Sequence, residues 1–403
     1  MSGTVCKAKN PNKIKKISNY REPKFVDARV SNIVKLSERW NVRARASQKG
    51  RGIMQPKIGE HTNFANGAAV GGANGRLCGR GEIVPVYMSC DDNYAIHMCV
   101  VAASIVANTS SRVHFIVLYS KLSDSNKSRI AETCAGHKVD FVCVDAIAAD
   151  LDGISFKCAH ISIAACYRYF IPRLPFDYDK GVYLDCDVIV RGDIRGLFDF
   201  DLGDAYIAGA EDFIKPSYLN RLGLRRYFNS GVLLLNIERM RRENIAPRLL
   251  AATVANRDKF RYLDQDVLNT LLGAESKFLP VKWGAVSSIF RKREVSEFVA
   301  PAEIAEAVRD PQILHFTGPD KPWIIPRGIL AHPWTPAYFY YLRRTPFAGE
   351  EVRICGRFNP MRRFFWYLSR HPLFFMRPQF FKMRLLYAKN RAFYENGVPR
   401  GGA

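Results

Sequence analysis

The stretch VYLDCDVIV, residues 182–190, sets two physical demands against each other. Val182, Tyr183 and Leu184 on one side, and Val188, Ile189 and Val190 on the other, are residues of a buried strand. Asp185 and Asp187 interrupt them, and an unpaired buried carboxylate is costly unless it is protonated, paired or bound to metal. The D-x-D pattern alone decides nothing, because the chain contains it five times, at Asp150/Asp152, Asp177/Asp179, Asp185/Asp187, Asp199/Asp201 and Asp264/Asp266. Context separates the third copy. In an extended chain residues i and i+2 point the same way. If the strand ends at Leu184, both carboxylates lie at the carboxyl edge of a sheet, where open α/β folds bind ligands. Two hard oxygen ligands there suit Mg²⁺ or Mn²⁺ and a substrate phosphate. A solvated turn is the competing reading.

Working outward, apolar runs and helical periodicity alternate from Glu82 onward. EIVPVYMS, RVHFIVLYS, VDFVCVD and GVYLD read as strands, followed by AYIAGAED and FNSGVLLLNI. Between them AIHMCVVAASIVANT, DSNKSRIAETCAG (with Asp124 or Ser125 near its N-cap) and ISIAACYRYFIPRL read as helices, and LDQDVLNTLLG opens another. This grammar predicts an α/β fold, a mostly parallel sheet with helices on both faces. Residues 1–80 lack sustained periodicity and are expected to be a basic, Gly-rich, disordered arm, with SNIVKLSERW able to form a short helix.

The 403 residues carry a net charge of +22, unevenly placed. Residues 1–80 hold +13 and residues 353–403 hold +10, so the centre is nearly neutral at −1. A nucleic-acid enzyme would carry its positive field across the catalytic face, so that class is set aside. The ten cysteines include no C-x-x-C pair. Most, such as Cys99, Cys143 and Cys166, fall in apolar segments and read as small buried hydrophobes in a reducing compartment. No apolar h-region follows the basic start, no run is long enough to span a membrane, and Ser2 replaces the glycine that myristoylation needs. The expectation is a cytoplasmic protein, peripheral on the inner face of the membrane if something attaches it there.

Six blocks carry a family resemblance across residues 81–335: SCDDNYAIHMCVVAASI, HISIAACYRYFIP, VYLDCDVIVRGDI, YFNSGVLLLNI, LDQDVLN and HFTGPDKPW. In order and spacing they resemble glycosyltransferase family 8, particularly bacterial members that add galactose or glucose to lipooligosaccharide or lipopolysaccharide. The resemblance implies a GT-A nucleotide-sugar-binding fold, a UDP-hexose donor, a divalent metal (usually Mn²⁺) and retention of anomeric configuration. It assigns Asp185, Asp187 and His315 to the metal. It places Ser89, Asp91, Asn93, Tyr94, Arg168, Cys186, Gly318 and Lys321 with Asp185 around the nucleotide sugar. Asp91 would accept from the uracil, Asn93 would meet the ribose and Tyr94 would stack on the base; Asp92 capping the next helix is the plain alternative. Arg168 would meet the sugar and diphosphate, or else form a structural salt bridge to an aspartate. Gly318 would admit the backbone to the phosphates, and Lys321 would add a charge beside them. Asp212, Asn229, Asp264 and Gln265 match the catalytic sugar pocket, and His160 matches the acceptor side. Gln265 lies where a nucleophile would attack, but a neutral amide is weak at that task. A front-face reaction is therefore preferred. For Asp264, capping the following helix competes with sugar contact.

Residues 336–403 depart from that pattern. MRRFFWYLSRHPLFFMRPQFFKMRLLYAKNRAFY interleaves Arg and Lys with aromatics and is broken by Pro372 and Pro378. It reads as an interfacial segment facing anionic lipid, or as helices packed on the catalytic domain with basic outer faces. The leading expectation is a retaining UDP-hexose transferase acting on lipopolysaccharide core or another glycolipid. A member acting on a protein or soluble polysaccharide, and a silent nucleotide-sugar or membrane-binding protein, are the alternatives.

Overall fold

A computed structural model describes residues 83–145, 163–256, 259–291, 296–318, 321–325, 331–350, 365, 368, 376 and 378–396. The N-terminal arm, the SNIVKLSERW helix, His160 and most of 351–377 lie outside these residues.

Each expected apolar run forms a strand, β1 (Ile83–Ser89), β2 (Arg112–Tyr119), β3 (Lys138–Cys143), β4 (Lys180–Leu184), β6 (Ile207–Glu211) and β7 (Phe228–Asn236), and β8 (Ser276–Leu279) joins them unforeseen. They build one sheet in the order β3-β2-β1-β4-β7-β6-β8. β1, β2, β3 and β4 run parallel, β7 is antiparallel to β4 and β6, and β6 is parallel to β8. The central strands are apolar on both faces because both are covered. Val84, Val86 and Met88 of β1, with Val182 and Leu184 of β4, join the core that holds helix α1 (Ala95–Asn108). Tyr87, Tyr183 and Leu233 point the other way, into the core beneath Tyr169 and Phe170. The order of strands reverses between β1 and β4, so the crevice above their carboxyl ends is the fold's ligand position.

The opening paradox is resolved by the topology. VYLDCDVIV is two strands in two sheets. β4 ends at Leu184, and β5 (Val188–Val190) belongs to a small sheet with β9 (Ala285–Val286) and β10 (Ile313–His315), ordered β5-β10-β9. β10 runs antiparallel to β5 and sets His315 opposite Val188. The carboxylates therefore occupy the turn between sheets, and β10 delivers its last residue beside them.

Local details differ from expectation. Helix α2 (Asp124–Thr133) is capped by Ser123, whose side chain accepts from Asn126 N, one residue earlier than predicted. The segment Ile163–Arg173 is 3₁₀ rather than α-helical and contains Pro172; proline removes a backbone donor and disfavours a continued α-helix. Cys143 is exposed, whereas Cys90, Cys99, Cys134, Cys166 and Cys186 are buried.

Helix α3 (Asp264–Leu272) flanks the pocket, and α4 (Thr335–Leu342) packs against α5 (Pro378–Asn396). Phe380, Met383, Asn390 and Tyr394 form the buried stripe of α5 at helical spacing. Asn390 Nδ2 donates to Pro333 O at 3.0 Å. The opposite face exposes Phe381 (58%) and Leu385 (72%) beside Lys382 and Lys389. Among the described residues, no helix is long and apolar enough to cross a membrane.

Candidate active site

A cavity of about 330 Å³ opens above the carboxyl ends of β1 and β4. Its walls include Ser89, Asp91, Tyr94, Arg168, Asp185, Cys186, Asp187, Asp212, Asn229, Asp264, Gln265, His315, Gly318 and Lys321. Of the described residues expected here, Asn93 alone is outside the lining; it is exposed in the turn after β1.

One oxygen each from Asp185 and Asp187 and a ring nitrogen of His315 lie within 4.8 Å of one another. Asp185 Oδ1 accepts from Arg168 at 2.8 Å and from Tyr183 Oη at 3.1 Å, leaving Oδ2 facing His315 Nε2 at 3.9 Å. Asn229 Oδ1 accepts from Gly231 N at 2.9 Å and lies 2.7 Å from His315 Nδ1. That partner makes Nδ1 the donor, so Nε2 presents its lone pair to the carboxylates. His315 Nε2 is 2.9 Å from Asp187 Oδ1, and this buried oxygen has no hydrogen-bond partner. Two acceptors at that distance require a cation or a proton between them. A Cβ on Gly231 would overlap His315 Cε1 and lie 2.7 Å from Asp185 Oδ2, so only glycine allows the groups to converge. Two carboxylates and an imidazole fit a divalent cation.

The carboxylates are also paired with protein cations. Lys321 Nζ donates to Asp187 Oδ2 and, at 2.8 Å, to Phe316 O. Burial opposes ionisation of Asp187, yet the Lys321 ammonium holds its pKa below the ordinary carboxylate range. Arg168 is 3% exposed. It donates to Asp185 and Ser230 O, lies 3.3 Å from Asp264 Oδ2, and stacks over Tyr183 with its centre 4.1 Å from the ring centroid. The structural salt bridge is present, and its Arg168 stands in the pocket wall.

Asp264 does not cap α3. It is the helix's first residue; Leu263, with φ +44°, is the N-cap and makes no side-chain capping bond. Burial raises the pKa of Asp264 to about 6, against the pull of Arg168. Gln265 Oε1 accepts from Ser230 N at 3.0 Å and Asn229 Nδ2 at 3.1 Å, while its Nε2 donates to Asp212 Oδ2 at 3.0 Å. Burial raises the pKa of Asp212, and the Asn229 and Gln265 amides oppose the rise. The Gln265 oxygen is thus engaged by protein donors, which weakens it as a nucleophile.

On the opposite wall, Asp91 Oδ1 accepts from Tyr94 N at 3.0 Å. Asp92 does not cap α1: its Oδ1 accepts from Ser123 N, Ser123 Oγ and Asn126 Nδ2 at 2.8–2.9 Å, tying the β1–α1 turn to α2. These bonds, led by the Ser123 amide, lower the Asp92 pKa. Gly318 adopts φ +75°, a conformation glycine accepts without strain.

Sequence reasoning missed Ser230 and Tyr262 in the lining. It also missed their supports. Asp266 accepts from Tyr218 Oη and Tyr227 Oη at 2.6 Å, Tyr262 N at 2.7 Å and Arg261 N at 2.8 Å. Its carboxylate fixes the turn that carries Tyr262. His97 stacks on Trp323 at 3.7 Å between centroids and lies 2.7 Å from Tyr338 Oη, fastening the Lys321 segment to α1. No local pattern marks these residues.

The comparisons agree with this architecture. Glycosyl transferase family 8 matches residues 85–324. General stress protein A of Bacillus subtilis (strain 168) is 30% identical over 276 residues, covering 66% of this chain and 94% of that protein. The lipopolysaccharide 1,2-glucosyltransferase of Escherichia coli (strain K12) is 26% identical over 286 residues, 68% of this chain and 81% of that one. The galactosyltransferase LgtC, solved with donor and acceptor sugar analogues, superposes with a TM-score of 0.58 at 27% identity, over 67% of this chain and 99% of that chain. The mixed sheet, its switch point and this likeness define a GT-A fold. The chain belongs to glycosyl transferase family 8, a family of glycosyltransferases.

Proposed function

We propose that the protein is a retaining hexosyltransferase that moves galactose or glucose from UDP to a lipid-linked glycan, such as lipopolysaccharide core. The observation that carries this reading is the convergence of Asp185, Asp187 and His315 in one cavity with Lys321 and Arg168. Asp185, Asp187 and His315 would hold Mn²⁺ or Mg²⁺, which when bound supplies positive charge to the leaving diphosphate. The mixed oxygen and imidazole donor set favours Mn²⁺. Asp91 and Tyr94 would position the uracil and Asn93 the ribose. Lys321 would move from Asp187 to a phosphate oxygen. Arg168, fixed by Asp185, would orient the donor sugar. Asp212, Asn229, Asp264 and Gln265 would hydrogen-bond sugar hydroxyls. Because the Gln265 oxygen is already engaged, the chain offers no strong nucleophile there, and a front-face reaction fits best. In that reaction the leaving phosphate oxygen takes the acceptor proton. His160 is assigned to the acceptor side on family resemblance.

The acceptor class rests on the likeness to a lipopolysaccharide glucosyltransferase and on the basic C-terminal segment, +10 over residues 353–403. The exposed Phe381 and Leu385 of α5 would meet anionic lipid on the cytoplasmic face. The test is UDP release with a panel of UDP-sugars and Mn²⁺, followed by proton NMR of the product's anomeric linkage. Metal-dependent release with one UDP-hexose and an α-linked product is expected. Release unaffected by chelator removes the metal assignment, and a β-linked product removes the retaining one.

A further inference from the structure

Two cysteines outside the polar machinery meet beneath it. Strand β1 pairs with β4 in parallel, with Met88 opposite Leu184. Two residues further on each chain stand Cys90 and Cys186, whose side chains share the core face of that pair. At their last pair, adjacent strands lie about 4.8 Å apart, so the two residues leave the sheet from a separation comparable with the roughly 4.4–6.8 Å that a disulfide spans. Side-chain contacts agree. The Cys186 thiol donates to Ser89 O at 3.1 Å, the carbonyl bonded to the Cys90 nitrogen. Cys90 Sγ donates to Asp91 O at 3.2 Å. Both cysteines are free, 1% and 6% exposed, and Cys186 forms part of the cavity lining. Cys186 also separates the two carboxylates, and Cys90 immediately precedes Asp91.

We propose that Cys90 and Cys186 form a reversible disulfide, a thiol-modification site that small disulfide oxidants reach through the donor pocket. The Cys186 thiolate attacks the reagent's S–S bond and releases one small thiol. Cys90 then attacks the mixed disulfide and releases the second. One S–S bond breaks and one forms; two electrons pass to the reagent, and the two protein thiol protons end on the released thiols. Oxidation removes both S–H donors, so Ser89 O and Asp91 O lose these partners. It also draws Cys186 toward β1, carrying Asp185 and Asp187 out of register with His315.

The loss of turnover rests on the donor-pocket reading, whereas the link itself does not, so mapping and activity fail separately. The full chain is treated with 2-hydroxyethyl disulfide, then digested without reduction. A Cys90–Cys186 cross-linked peptide is expected, with an intact mass lower by about 2 Da. UDP release should fall at least about tenfold and return with dithiothreitol. Cys90→Ser, and Cys90→Ala as a second variant, should form no cross-link and stop at a Cys186 mixed disulfide heavier by about 76 Da. Modification at exposed Cys143 with no 90–186 link overturns the proposal. So does a wild type that, like the Cys90 variants, stops at the Cys186 mixed disulfide. A link that forms without any loss of turnover keeps the modification site and counts against the donor-pocket reading.

Discussion

At the residue scale, Asp187 is where the interactions converge: His315 faces one oxygen and Lys321 the other. Asp187→Asn keeps the volume and one oxygen but removes the charge. Turnover should fall by about 100-fold or more, while the melting temperature stays within a few degrees of wild type. Steady-state UDP release beside a thermal melt checks this, and unchanged turnover would sink the role. Asp185 and Asp187 stood out as two carboxylates at i, i+2 inside apolar flanks, with a solvated turn as the competing reading, and His315 joined them only through the family resemblance. Asp92 and Asp264 show the limit. Both invite a capping reading, yet Asp92 reaches a neighbouring helix and Asp264 points at Arg168. Tyr262 and Ser230 carried no signal, because only distant partners place them in the wall.

At the element scale, six of the seven strands of the main sheet were readable from their length and composition, and the four-residue edge strand β8 was not. The small sheet was not. β5, β9 and β10 span three, two and three residues, too short for any alternation to appear, so GVYLD was expected as a strand and Val188–Val190 only as its apolar flank. The 3₁₀ segment carries helix-forming apolar residues, and only Pro172 hinted at its geometry. Helix α5 reconciles the two readings of the tail because it has two faces. Phe380, Met383 and Tyr394 bury roughly 1.5–3 kcal/mol each of side chain against the domain. Deleting the tail would remove that packing along with any docking surface. Phe381→Ser with Leu385→Ser leaves the buried stripe intact. This double variant should lose several-fold in sedimentation with anionic vesicles while keeping its melting temperature, and raised salt should weaken wild-type binding. Equal sedimentation of the two proteins would make α5 a packing element only.

At the scale of the whole molecule, the buried histidines set an acid limit. Burial lowers the pKa of His97 to about 3 and, with Lys138 nearby, that of His114 to about 4; His332 is held well below its usual value. Each is neutral in the fold and takes up a proton near pH 6.5 once unfolded. Their contribution is therefore full above pH 6.5 and is lost as pH falls toward the folded values. At pH 5 the two with stated values cost on the order of 2 kcal/mol each. Calorimetry should show a melting temperature lower by about 10 °C at pH 5 than at pH 7. A level profile across that range would contradict it.

If Asp187 holds the proposed cation, the ammonium of Lys321 resting on it makes the protein its own competitor for that cation. Metal alone must displace a resident counter-ion, whereas a diphosphate arriving with it gives that ammonium somewhere else to go. Metal and nucleotide then bind with positive linkage, each raising the other's affinity by the same factor. Lys321→Gln should tighten Mn²⁺ binding without nucleotide, reduce the linkage roughly fivefold or more, and weaken UDP binding. Titration calorimetry with the metal, UDP and both together measures all three. If the variant binds Mn²⁺ alone no better than wild type does, the lysine is not the competitor. If it does bind tighter, the order in which ligands enter is written into a single side chain.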